Sequence, residues 1–297
     1  MSKEVIVPII TPLNSENKVN KSDISTLVRY LSNSRITGIF VGGSTGEFVA
    51  LSTKNQIKVL EAFVENIPER LKLYLGISST SFQKVLELVT SIPFSLKQRI
   101  DAYVCSAPFY FRYSYNDLRE FFLTIANSVD KPLILYNIPQ FTNETYIPLS
   151  LLKELSNHQN IIGIKESSKN FLYYQDIVFS KNNKFLVYQG AEEYMYASMT
   201  IGSNGLVPGI GNVVPEACCF LANSYENPQS IEIQKRIIEL MDIYKDLSWV
   251  SSIKIALHVL GIIDSYFSVI SSKPSIESIK RIEKILESHN DLFKLRI

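Results

Sequence analysis

The chain has 297 residues, of which 46% are hydrophobic and 20% charged, and its 30 basic and 29 acidic residues leave a net charge of +1. The charges are scattered, without the basic face or run that a nucleic-acid binder presents, so nucleic acid is not an expected partner. No apolar stretch is long enough to span a bilayer. The start, Met1 to Val5, lacks the basic opening and cleavage site of a signal peptide, so a cytoplasmic protein without a membrane partner is expected.

In chain order, apolar segments of strand length alternate with longer amphipathic ones. A strand at Val5–Thr11 leads to a helix at Asp23–Ser32, where Ile24, Leu27, Val28 and Leu31 share a face. Gly38–Val41 is followed by a helix at Lys54–Val64, with Ile57, Leu60 and Phe63 on one side. Leu71–Ile77 precedes Ser81–Val89, for which Ser81 is a candidate cap, and Ala102–Ser106 precedes Asn116–Asn127. Leu133–Asn137 leads to Ser150–Leu155, which opens after Pro148; Ile161–Lys165 leads to Phe171–Phe179. Phe185–Gln189 leads to Glu193–Thr200, and Gly205–Val207 to Pro215–Ser224.

Alternation of this kind predicts a parallel sheet with helices outside it, and eight units predict an α/β fold of the closed (β/α)8 TIM barrel type. Three further helices are predicted at Ser230–Leu247, Ser251–Leu260 and Ser275–Glu287, with Asn227-Pro228 and Lys273-Pro274 as breaks. No flexible linker precedes them. The expected organisation is a barrel over 1–226 with a C-terminal helical extension over 227–297 packed on it, one structural domain in all. No fixed-period repeat is present, which argues against a solenoid.

Three cysteines do not make a disulfide framework. Cys105, Cys218 and Cys219 read as small buried hydrophobes. His158, His258 and His289 lie far apart, without partners at metal-ligand spacing, so no metal site is expected.

Barrel enzymes carry their chemistry at the C-terminal ends of strands. Three clusters fall there. After the second strand, Gly42-Gly43-Ser44-Thr45-Gly46-Glu47 can converge backbone N–H groups and hydroxyls on a small carboxylate, or can be an ordinary hydroxyl-capped turn. Its glycine spacing matches neither a dinucleotide fingerprint nor a Walker loop, and Glu47 reads as structural. At the end of the fifth strand, Tyr136 in Tyr136-Asn137-Ile138-Pro139 can relay a proton or simply fill the rim. The sixth strand ends in Lys165, within Gly163-Ile164-Lys165-Glu166-Ser167-Ser168.

An ordinary lysine, with a pKa of about 10.4, is neutral in roughly one molecule in 2500 at pH 7. Desolvation to about 8 would raise that fraction about 200-fold and supply a Schiff-base amine. The alternative is a lysine that snorkels to the rim and pairs with a carboxylate. Taken together, a nest, a tyrosine and a lysine facing one centre suit a 2-keto acid.

These segments resemble the N-acetylneuraminate lyase and dihydrodipicolinate synthase family of class I aldolases. The resemblance extends to Pro8-Ile9-Ile10-Thr11-Pro12, Ala107-Pro108-Phe109-Tyr110, Gly190 with its acidic neighbours, and Ile253-Lys254-Ile255-Ala256-Leu257. It implies a carbon–carbon lyase that needs no cofactor beyond a covalent Schiff base of pyruvate on Lys165. Tyr136 would transfer protons, oriented through Thr45, while Ser44 and Thr45 would hold the pyruvate carboxylate. A tyrosine at the place of Tyr110 would reach across a dimer interface, implying a homotetramer built as a dimer of dimers.

Departures from the family pattern bear on the second substrate. Dihydrodipicolinate synthases carry an arginine where this chain has Phe141, so a second carboxylate lacks its partner. Sialic acid lyases have Gly-x-Asp-Glu where this chain has Gly190-Ala191-Glu192-Glu193, and a serine where it has Pro208-Gly209. The resemblance is therefore greatest to 2-keto-3-deoxygluconate aldolases, which release pyruvate and glyceraldehyde. Substrate contacts are then expected from Gly190, Glu192, Gly209 and Phe141. A sialic acid lyase is the alternative; a synthase or a silent keto-acid-binding barrel fits less well. Arg112 has no basic cluster beside it to hold a phosphate.

Overall fold

In the computed structural model, which describes residues 3–295, parallel strands pair in chain order and the last returns to the first, closing an eight-stranded barrel. The strands are β1 (Glu4–Pro8), β2 (Gly38–Val41), β3 (Lys72–Gly76), β4 (Ala102–Ser106), β5 (Leu133–Asn137), β6 (Ile161–Glu166), β7 (Leu186–Gln189) and β8 (Gly205–Leu206). The predicted (β/α)8 architecture is the observed one. β1 stops before the predicted Thr11 because the chain leaves the ladder: Ile9 N–H still reaches Phe40 O, but Ile10 N–H is taken by the Asn212 side chain.

Side-chain alternation divides the barrel into two apolar layers. Ile6, Phe40, Tyr74, Val104, Ile134 and Tyr188 fill the interior, whereas Val5, Val7, Ile39, Leu73, Cys105 and Leu135 face the surrounding helices. Those helices are α1 (Lys21–Ser32), α2 (Thr53–Val64), α3 (Phe82–Ser91), α4 (Phe94–Lys97), α5 (Tyr115–Ser128), α6 (Leu149–Leu155), α7 (Phe171–Ser180), α8 (Met195–Thr200) and α9 (Pro215–Asn223). Several open on a capping side chain that accepts an orphan N–H: Asn20, Ser52, Ser81 and Asn170, with a full capping box at Ser114 and Asp117. The short α4 has too little periodicity to stand out in the sequence.

Beyond the barrel lie α10 (Gln229–Leu240), α11 (Trp249–Val259) and α12 (Ile276–Ser288). Ile233, Ile237, Ile253, Ile282 and Leu286 join the same apolar core as the barrel helices. The helix expected to run from Ser230 to Leu247 breaks after Leu240 into a 3-10 turn at Met241–Tyr244, and Asp246 takes a left-handed conformation. Tertiary contacts explain the break. Arg281 of α12 donates to the carbonyl of Asp242, which also accepts the 3-10 bond from Lys245 N–H, and to that of Lys245. Cys105, Cys218 and Cys219 are all buried free thiols, and among the described residues no helix is long and apolar enough to cross a membrane.

Candidate active site

The registers of β5, β6 and β7 bring the central residues together. Tyr136 pairs with Lys165, which pairs in turn with Tyr188; one residue on, Asn137 pairs with Glu166 and Glu166 with Gln189. Residues paired in register point to the same face of a sheet. Tyr136 and Lys165 therefore face the barrel axis, and Asn137 and Glu166 face outward. The outward pair locks the strand ends: Asn137 Nδ2 donates to Glu166 Oε1 at 3.0 Å, and Ser168 N–H donates to the same oxygen at 2.7 Å. Asn137 Oδ1 accepts from Ile147 N–H at 3.0 Å, tying in the chain that follows β5.

Lys165 is only 6% exposed. Among the described residues it belongs to no ion pair, and its Nζ lies 4.2 Å from the centroid of the Tyr136 ring and 5.3 Å from that of Phe40. Burial lowers its pKa to about 7, and the Glu192 carboxylate pulls upward only weakly by comparison. The ring faces favour an ammonium by about 1–2 kcal/mol, which is too little to offset the loss of water. A substantial neutral amine fraction at neutral pH follows. Tyr136 shifts the opposite way for the same reason: burial pushes its phenol well up, against the pull of the Ser44 and Ser167 hydroxyls. It is thus a protonated phenol at neutral pH, able to donate before it accepts.

Ser44, whose hydroxyl pulls on the Tyr136 phenol, adjoins Thr45, the residue to which the family resemblance points. Both belong to a 3-10 turn, Ser44–Gly46, directly after β2, and both border the same cavity as Tyr136 and Lys165. Thr11 Oγ1 donates to Gly46 O at 2.8 Å and secures the turn from the β1 side. Glu47 does not border the cavity; it is fully buried and ion-paired with Lys254.

The cavity measures about 320 Å³. Gly190 passes so close beneath Lys165 that a Cβ would stand 2.0 Å from Ser167 Oγ and 2.9 Å from Lys165 Cε, so only glycine leaves the lysine in place. Glu192 is half-buried and accepts from Ile210 N–H at 3.1 Å; burial raises its pKa. A Cβ on Gly209 would come within 3.1 Å of Glu192 Oε1. Phe141 is 48% exposed at the mouth and stacks on Trp249 with ring centroids 5.3 Å apart.

All the expected residues meet around this cavity except Tyr110, which is 76% exposed with φ of 91° and packs edge-on against Phe111. Arg112 is an exposed partner of Glu144, away from the cavity. Sequence reasoning passed over Gln140, Lys169, Met241, Tyr244 and Trp249, all of which border it. Ser167 it met only as part of the Lys165 cluster, yet its hydroxyl is buried and pulls on the Tyr136 phenol. Gln140, Ser167 and Lys169 were legible as neighbours of the Tyr136 and Lys165 segments. Nothing in the C-terminal stretch signalled Tyr244 or Trp249.

A parallel (β/α)8 barrel whose buried lysine at the end of β6 has no ion-pair partner among the described residues is a framework able to support Schiff-base chemistry. Residues 1–286 match the model of the dihydrodipicolinate synthetase family, and the chain belongs to that family. It is accordingly a class I, pyruvate-dependent lyase, of a family that works through a lysine Schiff base without a metal. An uncharacterised DapA-like lyase of Pyrococcus abyssi is 28% identical over 264 residues, which cover 86% of this chain and 87% of that one. The 4-hydroxy-tetrahydrodipicolinate synthase of Listeria innocua is 29% identical over 243 residues, covering 80% and 82%. Among solved structures, dihydrodipicolinate synthase from Aquifex aeolicus is 25% identical and superposes with a TM-score of 0.89 over 99% of this chain and 100% of that one. YagE, a prophage protein of Escherichia coli K12 solved with pyruvate, has the same fold, with a TM-score of 0.90 at 21% identity over 97% and 98%.

Proposed function

We propose that the protein reversibly cleaves a 2-keto-3-deoxy sugar acid, 2-keto-3-deoxygluconate in the first instance, to pyruvate and glyceraldehyde, with Lys165 as the covalent nucleophile. The observation that carries this reading is the burial of Lys165 without an ion-pair partner beside Tyr136, with a pKa lowered to about 7.

In this reading the keto acid's carboxylate rests on the Ser44–Thr45 turn. The neutral amine attacks the ketone, Tyr136 protonates the departing oxygen, and loss of water leaves an iminium. A base then removes the proton of the C4 hydroxyl and the C3–C4 bond breaks. Its electron pair flows into the iminium to give an enamine, and the aldehyde departs. Protonation at C3 and hydrolysis release pyruvate and restore Lys165.

The choice of aldehyde rests on the cavity mouth. Phe141 stacks on Trp249 where a synthase would need a guanidinium, and Lys169 is engaged by Glu193 at 2.5 Å. A second carboxylate would find no free cation among the described residues of the mouth, whereas Glu192 and Gln140 suit hydroxyl groups. Glu192 equally favours the alternative substrate, N-acetylneuraminate. The exposed Tyr110 and Phe111 support a dimer contact at the loop after β4, and a homotetramer built from two such dimers.

The test is borohydride reduction with excess pyruvate, followed by activity on 2-keto-3-deoxygluconate, its phosphate and N-acetylneuraminate. The expected result is a stable adduct on the peptide containing Lys165 and fastest turnover of the first substrate. No adduct on that peptide would remove the mechanism; faster turnover of N-acetylneuraminate would replace the substrate.

A further inference from the structure

Glu47 lies directly after the Ser44–Gly46 turn but turns away from the cavity. Its backbone is left-handed, with φ of 58°, a conformation that disfavours a residue with a Cβ. It ends one 3-10 turn and begins the next, Phe48–Ala50, so its orientation sets that of the turn before it. The carboxylate is completely buried and fully engaged. Oε2 pairs with the ammonium of Lys254, itself 0% exposed, while Oε1 accepts from Ser268 Oγ at 2.5 Å and from Val269 N–H at 3.0 Å. Lys254 Nζ also donates to Phe267 O at 2.8 Å. One ion pair thus joins the loop after β2 to α11 and to the segment that follows it.

Stability alone does not account for this arrangement. A buried ion pair is on average no better than well-packed apolar side chains of the same volume, because both charges must first be stripped of water. What apolar packing cannot supply is direction. Here a strained backbone is pinned by oriented hydrogen bonds, next to the two hydroxyls that border the cavity. Thr11 holds Gly46 from the β1 side, so the turn is clamped from both flanks. The same helix that carries Lys254 begins with Trp249, which forms part of the cavity wall.

We infer that Glu47 and Lys254 are a positioning pair that aims the Ser44–Thr45 turn at the substrate carboxylate, an inference that rests on the assignment of that turn proposed above. They touch no substrate. Their loss should therefore weaken the grip on pyruvate while leaving the chemistry at Lys165 intact.

The double variant Glu47→Gln/Lys254→Met separates positioning from mere stability. Either single change strands a buried charge or polar group and should lower the unfolding midpoint; the double change leaves no unpaired charge and should recover most of it. The pyruvate concentration giving half-maximal borohydride trapping should nevertheless rise about tenfold in the double variant. The trapping rate at saturating pyruvate, and its pH profile, should stay at the wild-type level. Ser268→Ala, which removes one bond to Glu47 and leaves the ion pair in place, should raise the half-saturating concentration roughly threefold, and it decides the matter if the double variant does not fold. Wild-type half-saturation in a folded double variant, or in Ser268→Ala where that alone folds, would overturn the inference. If the wild-type protein is not trapped by pyruvate at all, the assignment of the site fails first, before any variant is compared.

Discussion

Two lysines are buried among the described residues, and one of them has a counter-charge that the other lacks. Lys254, on α11, meets a carboxylate and a carbonyl oxygen, so its ammonium is fully employed. Lys165, at the end of β6, meets two aromatic faces and a small cavity, and has no ion-pair partner among the described residues. Burial lowers the pKa of both, but Glu47 pulls that of Lys254 back up, while Lys165 falls to about 7. Removing water from an amine does not by itself make a nucleophile; removing water and withholding the counter-charge does.

The sharpest way to break this contrast is by activity. Lys165→Ala should lose all measurable turnover and all pyruvate trapping, because the amine is the bond-forming atom. A variant retaining normal turnover would mean that the nucleophile lies elsewhere. Next in size is an effect on stability, where the two lysines should behave oppositely. Lys254→Met strands the Glu47 carboxylate in the interior and should cost about 3–5 kcal/mol in denaturant unfolding. Lys165→Met removes a desolvated amine without an ion-pair partner among the described residues and should be stabilising, by up to about 4–5 kcal/mol. Equal losses from both would show that Lys165 has a partner in solution.

The smallest effect is on pH dependence. Iminium formation by Lys165 should fall roughly tenfold per pH unit below about 7, as the amine becomes protonated, and level off above it. Stability follows the opposite logic from that of a salt-bridged group. Because the folded-state pKa is lowered, the native state binds fewer protons than the unfolded chain between about 7 and the ordinary lysine range. The burden imposed by Lys165 is therefore complete below pH 7 and is relieved as pH rises through that window. Unfolding midpoints of the wild type and Lys165→Met should converge across it; a constant separation would contradict the lowered pKa.

The barrel was readable because its signals are local. Strands such as Ala102–Ser106 and Leu133–Asn137 are short apolar runs bounded by amphipathic helices, and their limits in the structure are those expected. The helix expected through Leu247 was misread because its end depends on Arg281, a residue on another helix that caps carbonyls it does not adjoin in sequence. Site residues followed the same division. Lys165, Tyr136 and Ser44 stood out as polar groups at strand ends, whereas Tyr244 and Trp249 enter the cavity from a helical segment with no polar pattern to mark them.

By itself, then, the sequence determined the barrel, the family resemblance and the candidate nucleophile, since each is written in hydrophobic period, turn chemistry or a motif within a few residues. Tertiary structure alone decided which lysine lacks a counter-charge. Lys165 and Lys254 are both lysines in apolar surroundings, and only the closing of α11 over the loop after β2 delivers Glu47 to one of them and leaves the other free.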